Sequence, residues 1–188
     1  VLLLLLLGAT GVFWLLSRAT ARQDLEARLQ AQQIMQATLQ DKRAMLGKIN
    51  HDYAMWDDLA AQVNRKTPDQ AWLRRNVTAS VHEVFGVSHV ALLDELYQPF
   101  YILQQGEVVP AREFDLPLAQ PVWQQFLTQA RSRHPAQAPL TAWLPIQGQV
   151  YLVAAQLVDF ESRSIDKPTP SQVMLLFAKP LLQAILPE

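Results

Sequence analysis

Three features of the sequence predict an α+β fold in which a long N-terminal helix leads into an antiparallel sheet flanked by helices. From Ser17 to about Asn64 there is no proline and only one glycine, Gly47, among residues that favour helix. After Gly86 the pattern changes to short apolar runs separated by turn-forming residues. Those runs follow one another instead of alternating with helices, which points to antiparallel pairing. The chain has 188 residues, half of them apolar, enough for one domain with a real core. Its 16 basic and 17 acidic side chains are interspersed and nearly cancel, so no field attracts nucleic acid. It contains no cysteine, which leaves the compartment open.

The first segment, residues 1–17, is an uncharged leucine-rich run through Leu16, with Trp14 at an interfacial position and Arg18 and Arg22 beyond it. This predicts a transmembrane helix, although a membrane core calls for roughly 20 such residues. Ala19-Thr20-Ala21 has the form of a signal-peptide cleavage site, but Arg18 just before it and the length of the run favour a retained anchor. Composition alone does not orient the chain across the membrane.

Residues 18–64 then read as one long helix, or two with a slight break near Gly47. Met35, Leu39, Leu46, Ile49, Tyr53 and Trp56 form an apolar stripe at steps of three and four if Lys42 fills the missing place. Leu25 and Leu29 continue it weakly, with Gln32 and Gln36 beside them, as expected for a modest helix–helix contact in a homodimer.

Residues 65–180 form the core. Thr67 and Pro68 are expected as cap and first residue of further helical structure reaching Gly86. Ser88–Asp94 and Gln98–Gln104 read as neighbouring antiparallel strands, and 107–118 as a loop with at most a short strand. Gln120–Ser132 reads as an amphipathic helix with Val122, Trp123, Phe126, Leu127 and Ala130 on its apolar face. A hairpin turns at Gln147-Gly148, residues 163–172 form a loop, and a last strand begins near Val173. The sheet is expected to be open, with helices on one face. Residues 181–188 read as the start of a connection to a second membrane segment.

The stretch HDYAMWDD, His51–Asp58, places a tyrosine, a tryptophan and three aspartates where the apolar stripe ends. On a continuous helix Tyr53, Trp56 and Asp57 share a face, and Asp52 neighbours Trp56. Three readings compete. In the first, the rings pack where the long helix meets the core, and Asp57 is satisfied by Arg74, Arg75 or backbone N–H groups. In the second, Tyr53, Trp56, Trp72 and an acid line a small-molecule pocket. The third, a metal site from His51, Asp52, Asp57 and Asp58, lacks convergent spacing, since only His51 and Asp58 line up.

These residues resemble the CHASE domain of type four, a sensory module on the outer side of the bacterial membrane. The likeness rests on Asp52, Tyr53, Ala54, Trp56, Asp57 and Asp58 as a D-Y-A-x-W-D-D run, then Trp72 and Asn76, then the strand from Gly86 to Asp94. It extends loosely over residues 25–180. A D-x-x-G turn common in the family is Asp94-Glu95-Leu96-Tyr97 here, without glycine.

The resemblance implies a PAS- or Cache-like fold between two transmembrane helices, facing the periplasm from the inner membrane. A cytoplasmic diguanylate cyclase, cyclic-di-GMP phosphodiesterase or histidine kinase would be the output, without catalysis or cofactor in this region. Tyr53, Trp56, Asp57, Trp72, Asn76 and Asp94 are then the candidate ligand-binding or joint residues, for an unknown small-molecule or protein signal. The alternative is a membrane-anchored envelope scaffolding or assembly protein with no small-molecule ligand.

Other chemistry has little support. His82, His89 and His134 are scattered, so no Ser-His-Asp constellation is visible, and the isolated glycines make no phosphate loop. Trp123, Trp143, Phe126 and Tyr151 are spaced as core, and Arg112, Arg131 and Arg133 are the cations to consider for a carboxylate ligand.

Overall fold

The computed structural model describes residues 2–114, 116–161 and 171–182, without the side chains of residues 2–22, 24 and 78–80. The expected loop at 163–172 and the expected connection at 181–188 therefore lie largely outside the described residues. So do the side chains on which the membrane-anchor reading rests. Among the described residues no helix is long and apolar enough to cross a membrane.

The chain divides into two units, residues 1–41 and 42–188. The first belongs to helix α1, Leu2–Ala54, on which Leu25, Leu29, Ile34 and Met35 are exposed. The second contains the last turns of α1 and all remaining elements. Gly47 does not interrupt the helix. Its cost in a helix interior, about 1 kcal/mol, is offset by burial of Leu46 and Ile49 on either side.

The helix ends instead inside the motif. Trp56 has extended dihedrals (φ −77°, ψ 118°) and begins α2, Asp57–Val63. The Ala54 carbonyl accepts a hydrogen bond from the Asp159 N–H at 2.9 Å, so the end of α1 is tied to the sheet. Ala54 is fully buried, and its small side chain permits this close approach.

The next helical stretch starts two residues later than expected. Asp69, not Thr67, is the N-cap, its carboxylate accepting from Trp72 N–H at 3.0 Å. Both are good capping residues, and local sequence did not separate them. The stretch comprises α3, Gln70–Leu73, a π-helical turn at Arg74–Thr78, and α4, Ala79–Phe85. It stops at Gly86, whose positive φ of 62° suits a residue without a Cβ.

Six strands follow in one antiparallel sheet of order β3-β2-β1-β6-β5-β4. They are β1 His89–Leu93, β2 Pro99–Gln104, β3 Glu107–Val108, β4 Leu140–Ile146, β5 Gln149–Leu157 and β6 Met174–Pro180. The β4–β5 hairpin turns through Gln147 (φ 47°) and Gly148 (φ 78°), two positive angles that match the right-handed twist of the strands. This is the α+β class with an antiparallel sheet that the sequence leads one to expect.

The helices do not keep to one face. Val90, Leu92, Leu152, Ala154, Leu175 and Phe177 point into a core shared with α1, α2 and the α3–α4 stretch. Their neighbours Ala91, Leu93, Val153, Ala155, Met174 and Leu176 point the other way. There they pack with α5, Pro121–Arg131, through Trp123, Phe126, Leu127 and Ala130, while Val122 remains exposed. The central strands are apolar on both sides because both sides are covered.

Candidate functional site

The motif sits at the joint just described. Tyr53, on the last turn of α1, packs edge-on against Phe177 of β6 at 5.7 Å between ring centroids. Trp56, which starts α2, lies at 6.3 Å from Tyr53 with the two rings at 89°. Its other neighbour is Trp72 on α3, at 5.1 Å and a tilt of 38°. Aromatic pairs in these geometries add about 0.5–1.5 kcal/mol each beyond area burial. All three rings are half-buried.

Asn76 lies in the π-helical turn, where its side-chain amide donates to the Trp72 carbonyl at 2.8 Å. Asp52, Tyr53, Trp56 and Asn76 together line an open cleft of about 270 Å³. A π turn interrupts regular helix pairing and often marks a functional position.

The two remaining candidates lie elsewhere. Asp57 does not share a face with Tyr53 and Trp56, because the dihedral change at Trp56 invalidates helical spacing across it. Its carboxylate accepts from the Glu161 N–H at 2.8 Å, a clamp onto the chain leaving β5. One donor to Asp57 is thus a backbone N–H, and Arg74 and Arg75 are exposed.

Asp94 shapes the β1–β2 turn by accepting from Leu96 N–H at 2.9 Å and Gln98 N–H at 2.8 Å. Tyr97 takes a positive φ of 60°, a conformation that favours glycine. The Arg131 guanidinium covers its ring at 4.7 Å and also donates to the Asp94 and Gln172 carbonyls. Arg131 is therefore occupied as a brace, and Arg112 pairs on the surface with Glu113 at 3.5 Å. Asp94→Ala is expected to cost about 1 kcal/mol, from backbone donors returned to water, and to leave the cleft unaltered. Thermal denaturation of the variant beside a binding titration checks both parts.

Asp52, which the sequence set beside Trp56 and in the metal reading, also lines this cleft from the last turn of α1, whereas Trp56 lies beyond the helix end. His51 turns away from the cleft, with its Nδ1 at 3.0 Å from Gln156 Oε1. The Gln156 amide nitrogen donates to the Pro135 carbonyl, which directs Oε1 to the imidazole and makes Nδ1 the donor. A larger groove of about 440 Å³ opens beside it, between the last turns of α1 and residues 136–141. Arg43 and Lys48 both line it, and Arg43 is engaged with Thr141, at 3.3 Å to Oγ1 and 2.9 Å to the carbonyl. Among the described residues no three His, Cys, Asp or Glu side chains converge as metal ligands.

The sequence model of the CHASE4 domain matches residues 38–188, a span that includes the joint, the cleft and the whole sheet. The chain belongs to the CHASE4 family. CHASE4 domains are extracytoplasmic sensory domains, and this assigns the region to signal detection. Among solved structures, this CHASE4 chain is similar to the ligand-binding domain of the Pseudomonas aeruginosa PAO1 amino-acid chemoreceptor PctC, determined in complex with GABA. The alignment has 13% identity and a TM-score of 0.44, and covers 79% of this chain and 61% of the other. No curated protein sequence matches.

Proposed function

We propose that this CHASE4 domain is the periplasmic ligand- or partner-sensing part of a transmembrane signalling protein. In this reading the run at residues 1–17 anchors the chain in the bacterial inner membrane. Residues 18–180 lie in the periplasm, and 181–188 lead toward a second membrane segment. The output is a cytoplasmic diguanylate cyclase, cyclic-di-GMP phosphodiesterase or histidine kinase. The chain works as a homodimer along α1, and the exposed Leu25 and Leu29 supply the apolar contact.

The observation that carries this reading is the double tie at the end of α1. The Ala54 carbonyl holds Asp159 N–H, and the Asp57 carboxylate holds Glu161 N–H. A signal that alters the seating of Tyr53, Trp56 and Trp72 thereby acts on the helix end and on the exit of β5 together. A difference in affinity for two seatings, about 1–3 kcal/mol, is sufficient to shift a two-state equilibrium.

These 188 residues contain no cysteine, so with any cysteine elsewhere in the protein replaced a direct test is available. A single Ala61→Cys, at an exposed position on α2, is expected to react with a membrane-impermeant maleimide in cells whose outer membrane alone is permeabilised. Disulfide trapping with single cysteines along α1 is expected to peak at positions 25 and 29, against low yield at 27 and 31. Protection of the Ala61→Cys thiol until the inner membrane is opened rejects the periplasmic placement, and a flat trapping profile rejects the dimer.

A further inference from the structure

We infer that the cleft at the joint recognises a small organic ammonium group, a protonated amine or a quaternary ammonium. This deepens the sensing reading above and rests on it. Among the described residues four side chains line the cleft, and their chemistry is one-sided. Asp52 supplies a full negative charge, is exposed, and enters no hydrogen bond or ion pair among the described residues. The amide nitrogen of Asn76 is turned onto the Trp72 carbonyl, which leaves its carbonyl oxygen as the acceptor available to a ligand. Among the described residues no lysine or arginine lines the space.

The remaining walls are aromatic. Tyr53 and Trp56 stand at 89° to one another, so they offer two perpendicular boundaries, and Trp72 supports Trp56 from behind. A cation held near such rings interacts with their quadrupoles, and a carboxylate alongside supplies the counter-charge. An anion would meet Asp52 with no compensating cation among the described residues. A neutral apolar group would leave Asp52 and the Asn76 oxygen with nothing to accept from. The volume, about 270 Å³, falls below the roughly 300–1,000 Å³ usual for drug-sized ligands, which suits a compact head group.

The test uses the complete chain in detergent or nanodiscs and follows tryptophan emission, since Trp56 forms a wall and Trp72 lies directly behind it. Methylammonium, tetramethylammonium and choline are titrated beside 3,3-dimethylbutan-1-ol, in which carbon replaces the charged nitrogen of choline. At least one of the cations is expected to bind, with the neutral analogue at least tenfold weaker. Asp52→Asn is expected to weaken the cation at least tenfold while the thermal midpoint holds. Trp56→Phe is expected to retain more affinity than Trp56→Leu.

Equal affinity for choline and its neutral analogue, an unchanged Kd in Asp52→Asn, or no binding by any of the three cations overturns the inference. The sensing reading fails separately. If a neutral or anionic compound from a wider panel binds and loses affinity in Trp56→Leu, the ammonium class is wrong and the cleft remains the sensory site. If no compound binds and α1 trapping is indifferent to substitutions at the joint, the sensing reading falls as well.

Discussion

Phe177→Ala is expected to lower stability by about 3–5 kcal/mol, the usual cost of removing a fully buried phenylalanine and leaving a cavity. Phe177 has no exposed surface, lies on central strand β6 and belongs to the core between the sheet and α1. For a domain of this size the thermal midpoint is expected to fall by roughly 10 °C. The consequence extends to function, because Phe177 is the ring on which Tyr53 rests. Tyr53 loses its support, a wall of the cleft loosens, and ligand affinity measured well below the new midpoint is expected to fall too. Calorimetry together with the tryptophan titration separates the two losses. A change in stability below about 1 kcal/mol, the ordinary size of a point-mutation effect, contradicts the packing described here.

Trp123→Ala is expected to be as damaging to stability and harmless to the site. Its side chain is also fully buried, its indole N–H donates to the Pro145 carbonyl at 3.1 Å, and it packs on Phe126 at 6.4 Å. Large-to-small substitution of such a residue costs about 3–5 kcal/mol, and removal of the indole leaves the Pro145 carbonyl without that donor. Trp123 lies on the opposite face of the sheet from Tyr53 and Phe177. In protein that remains folded, cleft affinity is therefore expected to match wild type. A loss comparable with that of Phe177→Ala contradicts independence of the two cores. Trp123→Phe, which keeps much of the volume and loses the hydrogen bond, is expected to fall between wild type and Trp123→Ala.

What the sequence revealed and what it hid follow from the range of the interactions concerned. The apolar stripe of α1, the strand runs and the hairpin turn at Gln147-Gly148 are local patterns, and they were legible. Cover on both faces of the sheet was present in runs such as HVALL and MLLFA, which lack polar alternation, yet the sequence reading assigned helices to one face only. The break at Trp56 has no proline or glycine to announce it. It coincides with a tie between Ala54 and Asp159, far apart in sequence.

The candidate site divides in the same way. Tyr53, Trp56, Trp72 and Asn76 come together as a neighbourhood that the resemblance indicated. Asp57 has a partner at Glu161, 104 positions away, so no local rule identified that clamp. Asp94 belongs to a turn of its own, where Tyr97 takes the glycine conformation beneath Arg131. The π turn that holds Asn76 has no compositional signal, because it is a matter of backbone pairing and not of residue type.

The measurement that tests the central claim most directly is disulfide trapping of Leu29→Cys in the membrane-embedded chain, with Asp57 intact and with Asp57→Ala. Asp57 lies outside α1, and its clamp on Glu161 is part of the joint. If the joint relays to the helix, the ratio of cross-linked dimer to monomer is expected to change by about fivefold or more, the lower range of ordinary coupling energies. An unchanged ratio in Asp57→Ala protein that still melts cooperatively would contradict the relay and leave HDYAMWDD as a structural joint alone.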